Sequence, residues 1–259
     1  MITPTRRQFV GCAAHLALAA AALPAVALER WTARSGGTIV AQEPFARLEQ
    51  VAENIWALIS TPLTGERTTL SNGGLIAGRS GVLAIEGFNT PAGAAWLAQQ
   101  SRRLTGRWPT HLVVTHYHAD HSNGIAGYAA GDGHPSLRIT ADTRTQVLTR
   151  NLPADEARGK ALAEAVVLNA ERAGEIDLGG RRVRVIPRAG HTSSDVTVEV
   201  DDPSLVFCGD LFWNGMFPNY VDANPVDLAR SVAALRRRGA ETIYVPGHGA
   251  VAANEDLAR

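Results

Sequence analysis

The stretch THYHADH, residues 115–121, places three imidazoles and one carboxylate within six positions. Residues 111–115 are typical of a short β-strand, so these side chains are predicted to lie on a loop that leaves a strand. Histidine is the commonest metal ligand, and aspartate binds the same borderline ions. Residues two apart on such a loop can face one side, so His116 and His118 are predicted to share one metal ion. Asp120 and His121 are predicted to turn toward a second ion.

Three further candidate ligands stand in similar local contexts. His191, Asp210 and His248 each follow a glycine, and each is predicted to lie at the carboxyl end of a strand. Glycine allows the backbone to approach a shared centre closely. A histidine-rich surface loop without a function would not predict these matching positions. The seven side chains therefore predict a metal centre that takes its ligands from more than half of the chain.

Strands and helices alternate along the rest of the sequence. Strands are predicted at 55–60, 69–77, 82–86, 111–115, 137–140, 173–178, 183–187, 196–200, 205–208 and 243–245, with a hairpin turn at 78–81. Helices are predicted at 90–104, 122–130, 141–150, 155–169 and 225–238. Thr90 and Ser122 are candidate N-caps, and Pro91 suits the first position of its helix. This order predicts an α/β fold, in which helices cover sheets.

The first 27 residues are predicted to be an export signal that is not part of the fold. Residues 5–9, TRRQF, resemble a twin-arginine motif, an Ala-rich stretch follows over 10–23, and residues 25–27 suit signal peptidase. The apolar stretch is shorter than the roughly 20 residues of a membrane span. We therefore expect transient contact with the twin-arginine export machinery and a periplasmic mature protein. The alternative is a buried or anchoring N-terminal helix. Cys12 would leave with the signal, and Cys208 is expected to be buried.

The composition predicts one catalytic domain after a short lead-in. Residues 28–44 are polar and Gly-rich and are predicted to be a loose lead-in, while residues 45–259 are predicted to form the catalytic domain. With 259 residues, 45% of them hydrophobic, the chain suffices for one large domain. Formal net charge is zero, which argues against a nucleic-acid partner and leaves a small-molecule substrate. The last helix, which begins after Gly249, is expected to be very short or truncated.

The combined pattern resembles the metallo-β-lactamase superfamily. His-x-His-x-Asp-His is followed by Gly-His, Gly-Asp and Gly-His in the order and spacing of that superfamily. The resemblance implies a four-layer αββα sandwich with the metal ions at one edge. It implies a first metal held by His116, His118 and His191, a second held by Asp120, His121 and His248, and Asp210 as the bridge between them. Two Zn²⁺ ions are expected for a site without thiolate, and iron or manganese is compatible with these ligands.

These ligands imply hydrolytic chemistry. Two divalent cations repel each other, and a bridging carboxylate offsets part of that repulsion. A bound metal lowers the pKa of water toward about 7, which supplies hydroxide for attack on a carbonyl or phosphoryl centre. Asp120 is predicted to orient this nucleophile and Asp210 to hold both metals. The predicted function is therefore hydrolysis of an ester, thioester, lactone or related acyl or phosphoryl substrate.

Four further residues are candidates for the surroundings of the metals. Glu86 ends a predicted strand and can hydrogen-bond a ligand imidazole, although a simple strand-end carboxylate is the alternative. Trp213, Asn214 and Tyr220 follow the predicted bridging aspartate and are candidates for the pocket wall, with core packing as the alternative. Tyr117 lies between two predicted ligands and is expected to point away from the metals.

Other functions of the superfamily remain as alternatives. A periplasmic β-lactamase fits the export signal, but one class of those enzymes carries lysine where this chain has Trp213. An iron-dependent persulfide dioxygenase would share the ligand set. Diiron oxygen reductases carry glutamate at the place of His118, which argues against them. A non-catalytic protein with a degenerate site is disfavoured because all seven ligands are present.

Overall fold

The computed structural model describes residues 37–61, 65–129, 132–150 and 156–258. The export signal predicted for residues 1–27 lies outside the described residues, and so does the lead-in up to residue 36. Within the described part of the chain, none of the helices has the length and apolar character needed to cross a membrane.

The first sheet contains eight strands in chain order. They are β1 (Thr38–Glu43), β2 (Ala46–Ala52), β3 (Ile55–Ser60), β4 (Gly73–Ala77), β5 (Val82–Ile85), β6 (His111–Val113), β7 (Ser136–Thr140) and β8 (Val166–Leu168). Strands β1 to β5 pair antiparallel, and β5 to β8 pair parallel. The predicted turn at 78–81 joins β4 to β5, where Gly78 N donates to Gly81 O at 2.9 Å.

The second sheet contains five strands in the order β13-β12-β11-β10-β9. They are β9 (Gly174–Asp177), β10 (Arg182–Pro187), β11 (Val196–Val200), β12 (Leu205–Trp213) and β13 (Ile243–His248). Neighbours pair antiparallel except β12 and β13, which run parallel. A parallel pair needs a crossover, and a helix supplies it here.

Helices occupy the connections between the parallel strands. They are α1 (Pro91–Thr105), α2 (Ala119–Ser122), α3 (Ala141–Arg150), α4 (Glu156–Ala163) and α5 (Pro225–Arg236), with 3₁₀ turns at Ile125–Ala129 and Asp256–Ala258. Helix α1 ends because Gly106 adopts φ +74°, the left-handed conformation of a helix C-cap. Helix α5 is preceded by the N-cap residue Asn224, whose side chain accepts from the amides of Val226 and Asp227.

The two sheets face each other and the helices lie outside them. Strands β3, β4, β5 and β11 are buried along their whole length. Gly74 on β4 has no room for a side chain, because a Cβ would lie 2.6 Å from the ring of Phe207 on β12. Helix α1 packs against β4 and β5, and α5 packs against β12. The predicted α/β fold with four αββα layers is therefore confirmed.

The edge strands differ from the sequence-based prediction. Residues 28–44 were expected to be a loose lead-in, but Thr38–Glu43 forms β1 and pairs with β2. Residues 155–169 were expected to be one helix, but α4 ends at Ala163 and Val166–Leu168 forms β8. Both strands lie at sheet edges and are largely exposed, so neither shows the alternation of a half-buried strand.

Of the two predicted helix caps, Thr90 is correct in position and Ser122 is wrong. Thr90 is the N-cap residue of α1, but its hydroxyl donates to Thr68 O at 3.0 Å and makes no capping hydrogen bond to the helix. Ser122 does not begin a helix, because it is the last residue of α2. Its hydroxyl donates to the carbonyls of Tyr117 and His118, each at 3.0 Å. In both cases a neighbouring loop carbonyl takes the hydroxyl that the sequence pattern assigned to a helix end.

A buried carboxylate connects the second sheet to the segment after α5. Glu199 on β11 is 1% exposed and accepts from Arg188 Nη2 and Thr197 Oγ1, each at 2.8 Å. Arg238, two residues beyond α5, donates to the other carboxylate oxygen. When one partner of a buried ion pair is removed, the other partner stays buried without its opposite charge, and this lowers the stability of the fold.

Replacing Glu199 by alanine is expected to lower the free energy of unfolding by about 3 kcal/mol, because Arg188 and Arg238 lose their shared acceptor. Urea denaturation of the metal-free protein measures this. Asp201→Ala is the matched control: Asp201 also contacts Arg238 but is 68% exposed, and its loss should cost no more than about 1 kcal/mol. Equal effects of the two substitutions would contradict the assignment.

Candidate metal centre

Four side chains form the first ligand group: His116, His118, His191 and Asp210. Each offers one nitrogen or oxygen atom, and these atoms lie within 4.8 Å of one another. His118 Nδ1 lies 3.0 Å from His116 Nε2 and 2.9 Å from His191 Nε2. Three ring nitrogens this close, from two loops far apart in sequence, surround one common point.

The second ligand group contains Asp120, His121 and His248. Asp120 Oδ2 lies 3.3 Å from His248 Nε2 and 3.5 Å from His121 Nε2. Both imidazoles are buried, whereas the Asp120 side chain is 25% exposed. Asp120 is therefore the member of this group that solvent or a substrate can reach.

Asp210 lies between the two groups. Its Oδ1 is 3.1 Å from His121 Nε2 and 3.4 Å from His248 Nε2. Its Oδ2 is 3.3 Å from His191 Nε2 and 3.8 Å from His116 Nε2. One carboxylate oxygen thus faces each group, which is the arrangement of a bridging ligand.

The donor set fits two divalent cations. Asp210 Oδ1, His121 Nε2 and His248 Nε2 are buried and have no hydrogen-bond partner in the described part of the chain. Unsatisfied buried polar atoms are rare in native proteins and need an explanation such as a bound ion. Nitrogen and carboxylate donors without a thiolate suit zinc, iron or manganese. Cys208 is fully buried, and burial raises the pKa of its thiol.

Strand ends and glycines bring the ligands together. Strand β6 leads into the loop of THYHADH, Asp210 lies within β12, and β13 ends at His248. A Cβ at position 247 would lie 1.9 Å from Asp210 Oδ1, so Gly247 permits the close approach of β13. Gly209 has φ +53°, where a larger residue would be strained, and a Cβ there would lie 2.7 Å from Thr115 Oγ1.

Glu86 contacts a ligand of the second group directly and reaches a ligand of the first group through Thr115. Its Oε1 lies 3.1 Å from His121 Nδ1 and accepts from Thr115 Oγ1 at 2.5 Å. Thr115 Oγ1 lies in turn 3.1 Å from His116 Nδ1. The structure therefore places this strand-end carboxylate where an imidazole-orienting residue belongs. Glu86 has φ +76°, and hydrogen bonds at its backbone N and O, to Val113 O and from Tyr128 OH, hold this conformation.

Burial and charge set the protonation of the cluster in opposite directions. Burial lowers the pKa of His191 to about 4 and that of His116 well below its usual value. Both rings are therefore neutral, and each can offer a nitrogen lone pair to a metal ion. Burial opposes protonation of His248 too, but the carboxylates of Asp210 and Asp120 raise its pKa to about 9. Burial raises the pKa of Asp210, and the facing imidazoles, His121 first, outweigh it and hold that pKa well below the usual range. The second group therefore attracts positive charge.

A cavity of about 370 Å³ opens over the two groups. Beside the ligands it is lined by Tyr117, Arg150, Trp213, Asn219 and Asp222. The Trp213 ring lies 4.1 Å from the His248 ring, centre to centre, so this predicted pocket residue does reach the site. The volume is that of a small-molecule pocket.

Other predicted pocket residues lie elsewhere. Asn214 does not line the cavity: its Nδ2 donates to Ala250 O at 3.0 Å, and its backbone N donates to His248 O at 2.9 Å. Tyr220 is 44% exposed and packs against Phe217. Tyr117, which is expected to point away from the metals, packs in the buried hydrophobic core and also lines the cavity. Its hydroxyl accepts from Arg150 Nη1 at 2.9 Å.

The sequence did not predict three residues near the ligands: Asn72, Arg150 and Asp222. Asn72 donates from Nδ2 to Pro246 O at 2.9 Å and to Gly249 O at 2.8 Å, so it holds the loop that carries His248. Asp222 Oδ2 lies 3.1 Å from His118 Nε2, and its Oδ1 accepts from Arg150 Nη1 at 2.9 Å. These hydrogen bonds hold the pKa of Asp222 below its usual value. Its contact with His118 spans 104 residues, and no local pattern marks it.

Comparison with known proteins identifies the family. Residues 72–248 match the Metallo-beta-lactamase superfamily, and the chain belongs to that superfamily. It is 29% identical over 174 residues to the hydroxyacylglutathione hydrolase of Acidiphilium cryptum, covering 66% of this chain and 63% of that protein. Identity to the hydroxyacylglutathione hydrolase of Idiomarina loihiensis is 24% over 163 residues, covering 63% of this chain and 54% of that protein. The chain thus spans less than two thirds of the length of these relatives.

Solved structures share the fold at low identity. The metallo-β-lactamase from Hirschia baltica superposes with a TM-score of 0.66 at 20% identity, covering 83% of this chain and 95% of that one. The metallo-β-lactamase from Erythrobacter litoralis gives a TM-score of 0.67 at 17% identity, covering 86% and 96%. At these identities the likeness shows the fold alone.

Replacing Asp210 by alanine is expected to remove metal from both groups, because each loses one of its oxygen donors. His248→Ala should weaken the second group alone. Elemental analysis of zinc-saturated, dialysed protein should then give about two equivalents for the native chain, about one for His248→Ala and fewer for Asp210→Ala. His134→Ala, at an exposed position, is the matched control and should retain the native content. Native zinc content in Asp210→Ala would exclude the bridging assignment.

Proposed function

We propose that this protein is a dinuclear metal-dependent hydrolase that cleaves thioesters or related carboxylic esters and lactones. The observation that carries the proposal is the position of Asp210, whose two carboxylate oxygens each face one ligand group beneath an open cavity. A single metal would be reached by one Asp210 oxygen and leave the other facing the second ligand group without an ion. Two metals would give each oxygen an ion.

The residues of the chain divide the work between binding and proton transfer. The two aspartates, Asp120 and Asp210, and the five imidazoles would hold the cations, which when bound would supply Lewis acidity and yield a nucleophile from water at neutral pH. Asp120 is partly exposed at the cavity, and its backbone O accepts from Ser71 Oγ at 2.6 Å, which fixes the start of α2. Its carboxylate can therefore orient a water molecule and accept its proton.

The relatives favour an acyl substrate. Two of them are named hydroxyacylglutathione hydrolase, and the substrate in that name is a thioester. The cavity of about 370 Å³ admits a small acyl group, and Trp213 supplies an apolar wall beside His248. Zinc is the proposed metal because the ligands are nitrogen and carboxylate oxygen and the nearby Cys208 is buried.

The β-lactam alternative has less support from the site. Trp213 stands three residues after Asp210 and packs on His248, so that position offers no cation to a substrate carboxylate. Arg150 also lines the cavity, but its Nη1 is engaged by Asp222 and Tyr117. An iron-dependent persulfide dioxygenase would share the ligands. Oxygen uptake with a persulfide distinguishes it from a hydrolase.

A substrate panel tests the proposed reaction. The zinc-loaded protein is expected to hydrolyse a thioester or a lactone faster than a phosphodiester or a chromogenic cephalosporin. Asp120→Asn should lower kcat by at least about 100-fold, because the amide cannot accept the proton of water. Metal content measured on the same samples separates this effect from metal loss. Turnover confined to the cephalosporin, or oxygen uptake with a persulfide by an iron-loaded sample, would refute the proposed acyl hydrolase.

We also propose that the protein acts in the periplasm, on the support of residues 5–27 of the sequence. Replacing Arg6 and Arg7 by lysine is expected to keep the full-length chain in the cytoplasm, since the twin-arginine pair is the proposed recognition element. Cell fractionation and immunoblotting measure the distribution. Unchanged periplasmic recovery of the double variant would contradict this route of export.

A further inference from the structure

We propose that Asp222 is a positioning residue, whose carboxylate orients His118 toward the first ligand group. The proposal rests on the proposed function, because it concerns the same metal centre. It adds a residue outside the seven ligands and assigns a task to the loop between β12 and α5.

The contacts of His118 define its orientation. Its Nε2 lies 3.1 Å from Asp222 Oδ2, and a carboxylate at this distance accepts the ring N–H. The proton on Nε2 leaves a lone pair on Nδ1, the atom that faces His116 and His191 at 3.0 and 2.9 Å. Asp222 thus selects the tautomer in which Nδ1 is the donor atom.

His118 needs such a partner more than the other histidines of the site. Its side chain is 18% exposed, whereas those of the other four ligand histidines are at most 4% exposed. His116 and His121 are fixed from behind by Thr115 and Glu86. His118 lies at the cavity wall, where packing alone restricts the ring less.

Asp222 is itself held in place from two directions. Its Oδ1 accepts from Arg150 Nη1 at 2.9 Å, and the same nitrogen donates to Tyr117 OH at 2.9 Å. Two residues later, Asn224 N donates to Gly190 O at 2.9 Å, which ties the loop to the turn of His191. The Asp222 carboxylate therefore reaches His118 from a backbone that is anchored beside another ligand.

The test measures zinc affinity by competition with a chromogenic chelator, starting from metal-free protein. Asp222→Ala is expected to weaken binding at one of the two sites by about 10- to 100-fold, the usual effect of removing a partner of a ligating histidine. The other site should retain native affinity. Asp222→Asn should lose less, since its amide oxygen can still accept from His118 Nε2.

A matched control and a second readout separate positioning from general damage. Asp227, five residues after Asp222, is also paired with an arginine, Arg230, but does not line the cavity. Asp227→Ala should therefore bind both metals as the native chain does. Ring ¹⁵N NMR of the zinc-loaded proteins should show His118 protonated at Nε2 in the native chain. In Asp222→Ala this N–H signal is expected to broaden through faster exchange with water.

Two results would overturn the proposal in distinguishable ways. If the native chain binds two zinc ions and Asp222→Ala binds both with unchanged affinity and an unchanged His118 signal, the positioning role is wrong and the proposed function stands. If the native chain fails to bind two ions at all, both proposals are wrong.

Discussion

The Asp210 carboxylate, buried among imidazoles, is the constraint on which the rest of the structure depends. A carboxylate loses its hydration on burial and needs compensating positive charge or hydrogen bonds. Here its two oxygens face two separate sets of ring nitrogens, and the two nitrogens of the second set, His121 Nε2 and His248 Nε2, have no hydrogen-bond partner among the described residues. Such a cluster is costly without cations, so the fold must assemble it from rigid elements and bind positive charge there.

The scaffold meets this requirement by fixing backbone rather than side chains alone. Gly247 lets β13 approach the carboxylate, and Asn72 holds the loop that follows through two backbone carbonyls. Glu86 supports His121 directly and His116 through Thr115, so a change at this carboxylate is expected to affect both ligand groups. The residues that hydrogen-bond the ligands and their loops, such as Asn72 and Glu86, therefore contribute both to the stability of the strand ends and to the orientation of the metal ligands.

The sequence predicted the parts of this arrangement that have local signals. The alternation of strands and helices predicted the α/β class, and the family resemblance of the ligand motifs implied the four layers. The THYHADH motif and three glycine-flanked ligands also predicted a convergence that the structure reproduces as two ligand groups. The edge strands β1 and β8 were missed because exposed edges lack a period of burial. Asp222 and Arg150 were missed because their partners are distant in sequence, and a single acid or base on a loop has no pattern. Asn214 was placed at the pocket from proximity in sequence, whereas its side chain holds the segment beyond His248.

The most direct test of a centre built around Asp210 is a crystal structure of the zinc-loaded protein with anomalous data on both sides of the zinc edge. Two anomalous peaks are predicted, one beside His116, His118 and His191 and one beside Asp120, His121 and His248, with a different oxygen of Asp210 on each. A single peak, an empty cluster, or zinc bound elsewhere on the chain would contradict the account.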